Sequence, residues 1–352
     1  MAKQVLTYAE AINQAMHQAM EQDANVFCYG LGVDDPRRIF GTTAGLKEAY
    51  PERVFDMPTA ENAMTGIGIG AALQGMRPVM VHQRLDFFLL AMDQLVNSAA
   101  KWHYMFNGQR PVPMVIRLIL GRGWGQGPTH SQSLHAWFAH IPGLKVVMPT
   151  SPADAKGLLL ASIFDDNPVV FLEHRWLHHQ RGEVPEEADF RIPLGQAKVL
   201  QEGTDITLVA LSYQCVEAMH AVKALQQQGV SAELIDLRTV NPIDWATVYT
   251  SVQKTGRLLA LDTGAITCSV SAEVLARVTE HCFSALKCAP KRLAMPDVPE
   301  PTSYGLTRSF YFGAQEIAQT VWHMLHAEPN DFSQLARQGH HDVPGDWFTG
   351  PF

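Results

Sequence analysis

Val54-Phe55-Asp56-Met57-Pro58-Thr59-Ala60-Glu61 carries a short apolar strand through a proline turn into a helix that begins at Glu61 and runs on to Gln74. A strand joined to a helix by so few residues is the repeating unit of sheets built by crossover connections. Further apolar runs lie on either side, at Val26 to Tyr29, Val79 to His82, Val115 to Leu120, Val146 to Met148 and Val169 to Leu172. Because they are continuous rather than alternating, they suit strands buried on both faces. Helical patterns fall between them, at Ala91 to Tyr104 and at Pro152 to Phe164, the latter capped by Ser151 with Asp154 behind it. Upstream, Thr7 and Glu10 form a capping box that opens a helix from Thr7 to Met20, with Tyr8, Ile12, Ala15, Met16 and Met20 on one face.

From His174 to Leu194 the alternation lapses into charge, histidine and proline, and then it starts again. The second set places strands at Ile206 to Leu211, Ala232 to Leu237, Leu258 to Leu261 and Arg292 to Met295. Its helices lie near Val216 to Gln228, Trp245 to Lys254, Ser271 to Cys282 and Ala314 to Leu325. The expectation is an α/β protein of two parallel-sheet, three-layer domains: 1–180, a linker 181–194, 195–327, and an aperiodic tail 328–352 lying over a surface or a partner.

Composition excludes several classes. The 352 residues are 47% hydrophobic and 18% charged, enough to bury two cores. A formal charge of -8 and no polybasic run exclude nucleic acid and anionic membrane as partners. The longest stretch without Asp, Glu, Lys or Arg, Gly123 to Leu144, is broken by His130, His135, His140, glycines and prolines, so it does not span a bilayer. The first residues lead straight into foldable sequence, which places the chain in the cytoplasm as an expectation. Five cysteines without a C-x-x-C pair signal neither a disulfide framework nor a zinc site and read as reduced, mostly buried thiols.

Few segments offer chemistry. Gly30-x-Gly32 follows a strand, but Asp35 stands where a dinucleotide fingerprint needs its third glycine, so no such site is expected. Gly66, Gly68 and Gly70 sit inside a helix, where close helix packing is their use. Gly121 to Gly127 has glycine at every second position, the backbone of a ligand-contacting lid or of a plain surface loop. Behind it, in Pro128-Thr129-His130-Ser131-Gln132-Ser133, stands a titratable imidazole. Glu61 is either a catalytic carboxylate at the carboxyl edge of the sheet, where open α/β sheets bind ligands, or simply a favoured first-turn residue. Glu173, His174, His178 and His179 lack a second cluster at ligand spacing and read as a solvated linker rather than a metal site.

Taken together the segments resemble the beta subunit of a thiamine diphosphate-dependent 2-oxoacid dehydrogenase, the decarboxylating component acting on pyruvate, branched-chain 2-oxoacids or acetoin. The resemblance rests on Arg53-Val54-Phe55-Asp56-x-Pro58-x-Ala60-Glu61, Asp93-Gln94-Leu95-Val96-Asn97-Ser98-Ala99-Ala100-Lys101, His130-Ser131-Gln132-Ser133 and Ala136-Trp137-Phe138-Ala139-His140-Ile141-Pro142-Gly143-Leu144. Pro152 to Leu159, Asp166 to Glu173, Asp236 to Thr239 and Thr255 to Arg257 extend it, as far as Leu325.

What the resemblance implies is a transketolase-like pyrimidine-binding domain followed by a transketolase C-terminal domain. Glu61 matches the glutamate that hydrogen-bonds the aminopyrimidine ring nitrogen, a general acid-base role, and Thr59 beside it is expected to be cofactor-binding as well. Phe87 matches the aromatic that stacks on the pyrimidine. His130 matches the histidine that assists transfer to the acyl acceptor, usually a lipoyl group of an acyltransferase. Met114, Ser162, Ile163, Asp165 and Asn167 fall where some members hold a structural potassium ion. The family holds the diphosphate through magnesium at a Gly-Asp-Gly motif, absent from this sequence, so two alpha chains carrying that motif are expected beside two beta chains.

Departures bear on the substrate. Gly30-Leu31-Gly32-Val33 lacks the two acids usual in the family after the first strand, so a proton relay through that glutamate is not expected to operate as it does in relatives. Arg84-Leu85 replaces the usual Phe-Ala, and Arg122 and Trp124 enter the loop before His130. The added cations suggest an anionic or sugar-like substrate. Two other functions fit the same sequence: a carboligase subunit passing the acyl group to an aldehyde, and a non-catalytic scaffold for an alpha partner.

Overall fold

The computed structural model describes residues 2–35, 39–121, 125–336 and 343, in two compact units. The first comprises Met1–Gly121 with Trp137–Leu194, the second Arg122–Ala136 with Gly195–Phe352.

In the first unit, β1 (Lys3–Thr7) leads into α1 (Tyr8–Gln22) through the capping box read from Thr7 and Glu10. Then come β2 (Val26–Gly30), β3 (Val54–Asp56), α2 (Glu61–Leu73), β4 (Arg77–His82), β5 (Val115–Leu120), β6 (Lys145–Val147), α3 (Pro152–Ile163) and β7 (Val169–His174). Six strands lie parallel in the order β6-β7-β5-β4-β2-β3. All residues of β2, β5 and β7 are buried, as the continuous apolar runs require of a sheet covered on both faces. From β2 the chain steps first to β3 on one side and then to β4 on the other. This reversal leaves the carboxyl ends of β3 and β4 flanking that of β2, the position of the ligand crevice in open α/β sheets.

The region expected as one helix from Ala91 to Tyr104 is instead a 3-10 turn, Leu89–Ala91, a π-helical stretch, Gln94–Ala99, and an α-helical end, Ala100–Met105. The stretch expected as a linker, 181–194, is ordered on the first unit. Its β8 (Arg181–Pro185) pairs antiparallel with β1, Lys156 Nζ donates to the Pro185 carbonyl at 2.7 Å, and the Ile192 amide donates to the Gly157 carbonyl at 3.1 Å. Charge patterning concealed this ladder because its outer face is solvated; Val184 and Ile192 are buried beneath it.

Of the three helical glycines only Gly68 is held by packing: a Cβ there would meet Tyr29 Oη at 2.1 Å and Met114 Cε at 2.7 Å, whereas Gly66 and Gly70 face open space. Gly68→Ala should destabilise the unit by about 1–3 kcal/mol, the cost of overpacking. Gly66→Ala should instead gain up to about 1 kcal/mol of helix propensity. Urea midpoints of the two variants, moving in opposite directions, check this.

In the second unit, β9 (Lys198–Gln201), β10 (Ile206–Ala210), α4 (Tyr213–Gln227), β11 (Ala232–Asp236), α5 (Trp245–Thr255), β12 (Leu258–Ala265), α6 (Val270–Cys282), β13 (Lys291–Met295) and α7 (Ala314–Leu325) follow the expected alternation. The sheet order is β13-β12-β10-β11-β9, parallel except for β9, an antiparallel edge strand absent from the sequence reading. Leu208, Leu234 and Leu259 of the sheet pack with Leu225 of α4 and Ile317 and Val321 of α7. Phe332, from the stretch expected as tail, is fully buried in that core; 337–342 and 344–352 lie outside the described residues.

Residues 125–136, expected within the first domain, belong to the second unit. The cause is physical: Gly127 lies against Thr302, and His135 Nε2 sits 2.8 Å from Asp262 Oδ1. Among the described residues no helix is long and apolar enough to cross a membrane.

Candidate active site

The crevice predicted by the strand order of the first unit receives its side chains from the turns after β3 and β4. Asp56 ends β3, and its Oδ1 accepts the Val33 amide at 2.5 Å, tying down the loop that leaves β2. Thr59 is exposed in the turn that follows β3. Glu61 opens α2 behind Ala60, which offers no side-chain cap. The residue is 6% exposed, and its carboxylate has no hydrogen-bond or ion-pair partner among the described residues. A nearly buried carboxylate is best offset by a donor, and a group bound in the crevice can supply one.

Beyond β4 the short helix Leu85–Phe88 buries Leu85 and Phe88 and leaves the Phe87 ring 37% exposed. Phe88 packs edge-on against His82 at 5.2 Å between ring centroids. His82, the last residue of β4, is fully buried with neither ring nitrogen partnered among the described residues, and burial pushes its pKa down to about 4. It is therefore a neutral imidazole at the edge of the crevice, a residue the sequence reading passed over as the end of an apolar run. Arg84 is half-buried; burial lowers its pKa against the pull of Asp86, and its Nη1 has no partner among the described residues. Arg122 and Trp124 lie outside the described residues.

A carboxylate lacking a donor and an exposed aromatic face, on turns flanking one strand, fit the aminopyrimidine of thiamine diphosphate in kind: one group to share a proton with a ring nitrogen, another to stack on it. The potassium positions are drawn together around the end of α3. Arg77 Nη1 donates to the Ile163 and Asp165 carbonyls at 3.2 and 3.0 Å, the Val169 amide to Met114 O at 2.9 Å, and the Asn167 amide to Asp165 Oδ1 at 2.8 Å. Lys145 pairs with the Asp165 carboxylate, and the Ser162 hydroxyl donates to the Leu158 carbonyl. The donor set is all oxygen, and each carbonyl keeps a second lone pair.

His130 belongs to the second unit. It is partly exposed, its amide donates to the Gly127 carbonyl at 3.3 Å, and its Nδ1 lies 2.9 Å from Thr129 Oγ1.

Of the histidines read as a solvated linker, His174 and His178 are in fact interior, and His179 is partly exposed. Glu173 is 1% exposed and receives Arg117 Nε at 2.6 Å and Nη2 at 3.0 Å, with His178 Nε2 at 3.2 Å. Burial raises the Glu173 pKa, but the Arg117 charge and the hydrogen bonds from His178 and Arg117 outweigh it and hold the carboxyl at about 2. One lone charge of opposite sign in each of two apolar runs, Arg117 and Glu173, was the signal. Among the described residues no cluster of His, Cys, Asp and Glu is arranged to hold a metal.

Comparison with known proteins agrees with this geometry. Residues 4–179 match the transketolase pyrimidine binding domain and residues 195–317 the transketolase C-terminal domain. The chain is 42% identical to the pyruvate dehydrogenase E1 component subunit beta-1, mitochondrial, of Oryza sativa, over 91% of this chain and 87% of that one. It is 42% identical to the 2-oxoisovalerate dehydrogenase subunit beta of Bacillus subtilis, over 88% of this chain and 94% of that one. With the acetoin:2,6-dichlorophenolindophenol oxidoreductase subunit beta of Cupriavidus necator it shares 39% identity at the same coverages, 88% and 94%. A solved structure of a split gene transketolase, an inactive beta4 tetramer, superposes with a TM-score of 0.72 over 91% of this chain and 98% of that one. At 21% identity it shows a common fold.

Proposed function

The chain belongs to the transketolase-like beta subunits of 2-oxoacid dehydrogenases, and from that membership we propose that with an alpha subunit it oxidatively decarboxylates a 2-oxoacid and transfers the acyl group to a lipoyl acceptor. The observation that carries the reading is Glu61, a nearly buried carboxylate with no partner among the described residues, at the switch point of the sheet. Thiamine diphosphate, when bound, would supply an acidic thiazolium carbon whose deprotonated form is the nucleophile for a 2-oxo group. Glu61 holds a proton toward the pyrimidine ring nitrogen, Phe87 orients the ring by stacking, and Thr59 lies in the turn that delivers Glu61. His130 moves a proton at the acceptor during acyl transfer. Arg84, one guanidinium nitrogen of which has no partner among the described residues, supports a substrate carrying an additional anionic group.

No Gly-Asp-Gly motif occurs in this sequence, so the diphosphate and its magnesium ion are assigned to the alpha subunit, in an assembly of two alpha and two beta chains. A potassium ion at Met114, Ser162, Ile163, Asp165 and Asn167 belongs to the same reading, and there it would have to displace the Arg77 and Lys145 cations that hold the Ile163 and Asp165 oxygens. Cytoplasm is the proposed compartment, since Cys28, Cys215, Cys268, Cys282 and Cys288 are all unpaired thiols.

The test is binding of thiamine diphosphate and magnesium by this chain alone and after reconstitution with an alpha-like chain carrying the Gly-Asp-Gly motif, followed by a screen of 2-oxoacids, anionic ones included. Tight binding in the mixture alone, with turnover of one acid and acylation of a lipoyl domain, is the expected result. Absence of binding in both would overturn it in favour of a scaffold, and transfer to an aldehyde instead of lipoyl would mark a carboligase.

A further inference from the structure

Asp262 and His135 form the most deeply buried acid–histidine contact among the described residues of the second unit, 0% and 1% exposed, with His135 Nε2 2.8 Å from Asp262 Oδ1. The carboxylate is fixed from behind. The Gly264 amide donates to Oδ1 and the Ser271 amide, at the start of α6, to Oδ2, both at 2.9 Å. Burial raises its pKa, but the His135 charge and these hydrogen bonds outweigh that and keep it ionised. A carboxylate held by two backbone amides is a rigid point on β12, and whatever it grips inherits that position.

What it grips is the segment that carries His130. Gly264 packs so closely on this segment that a Cβ there would meet Ser133 O at 3.0 Å and His135 Cε1 at 3.2 Å. At the segment's other end Gly127 has φ +68, and a Cβ there would strike Thr302 Oγ1 at 2.3 Å. Residues 127–135 are thus pinned at both ends on the second unit, with His130 between the pins. A buried ion pair is a poor source of net stability against an apolar replacement but a good source of unique geometry.

We infer that Asp262 and His135 are positioning residues that act through His130, holding its imidazole where the acyl acceptor is received. The inference rests on the role proposed above for His130. A displacement of about 1 Å at a reacting group costs up to about 100-fold in rate, so this anchor is worth a large factor without touching substrate.

The test uses the reconstituted alpha-beta enzyme and a lipoyl domain as acceptor, with His130→Ala, Asp262→Asn and the double variant. The expected result is that Asp262→Asn lowers kcat for lipoyl acylation by about 10- to 100-fold, shifts KM for the 2-oxoacid less than about twofold, and adds nothing to the loss caused by His130→Ala. Full acylation by Asp262→Asn, or losses that multiply in the double variant, would overturn the inference while leaving the proposed function intact. An unimpaired His130→Ala enzyme would overturn the role of His130 and this inference with it. Should Asp262→Asn not fold, His135→Gln read by hydrogen exchange decides: faster exchange confined to 125–136 upholds the anchor, and unchanged protection there overturns it.

Discussion

Glu61→Gln in the assembled enzyme is expected to reduce turnover by about 10²–10⁴-fold, the range that a positioned acid-base group supplies. The substitution keeps shape and volume while removing the carboxylate, so the side chain no longer exchanges a proton with a ring nitrogen. The fold should survive it. The carboxylate has no partner among the described residues, so the substitution breaks no hydrogen bond made to them, and an uncharged amide is easier to keep at 6% exposure than a charge. Activity and stability should therefore part company: kcat falls while the thermal midpoint of the isolated chain stays or rises. Steady-state turnover alongside a melting curve checks both. A scaffold subunit would show no loss of turnover with Glu61→Gln, which would sink the catalytic assignment.

The largest effect on stability should come from Glu173. Removing its charge, as in Glu173→Ala, leaves Arg117 at 0% exposure with its guanidinium unpaired inside the first unit. Breaking such a pair from one side costs about 3–5 kcal/mol. For a unit of this size that is a fall on the order of 10 °C in melting temperature. Arg117→Met with Glu173→Leu should recover most of the loss, because replacing both partners by apolar groups removes the two desolvation costs together. The same group sets an acid limit. Its carboxyl is held at about 2 against an ordinary value of 4.5, so its contribution is complete above pH 4.5 and is lost as the pH falls toward 2. Unfolding curves across that window should show a steeper loss in the parent than in the Met/Leu pair, and equal slopes would argue against the assignment.

How much was legible from sequence follows burial. Strands such as Val115–Leu120 and Ile206–Ala210 were readable because full burial leaves an uninterrupted apolar run. The helix of Pro152–Ile163 was readable because Ser151 and Asp154 announce its start. Strands β1, β8 and β9 escaped because one face of each is wet, and their exposed lysines, arginine and glutamates resemble loop composition. Glu61 was placed by local grammar, a strand, a proline turn and a helix. His130 was visible as a titratable imidazole behind a glycine-rich loop, its role coming only from family resemblance, and Phe87 was visible through that resemblance alone, since nothing local separates it from an ordinary ring on a short helix. The group around Glu173 was misread because its partner Arg117 sits on another strand, and a charge looks solvated until the opposite charge beside it is known. His135 escaped for the same reason: Asp262 is remote in sequence and adjacent in space.

The chain order of the second unit also constrains its inheritance. Residues 125–136 are encoded inside the first domain yet fold on the second, so no crossover point between the two halves separates them cleanly. A recombinant joining the first half of one relative to the second half of another at Leu194 would unite the His130 segment of one parent with the Asp262 of the other. Such hybrids should fold in each half and still need their parents to agree at His135, Asp262, Gly127 and Thr302, which ties the two halves into one evolutionary unit.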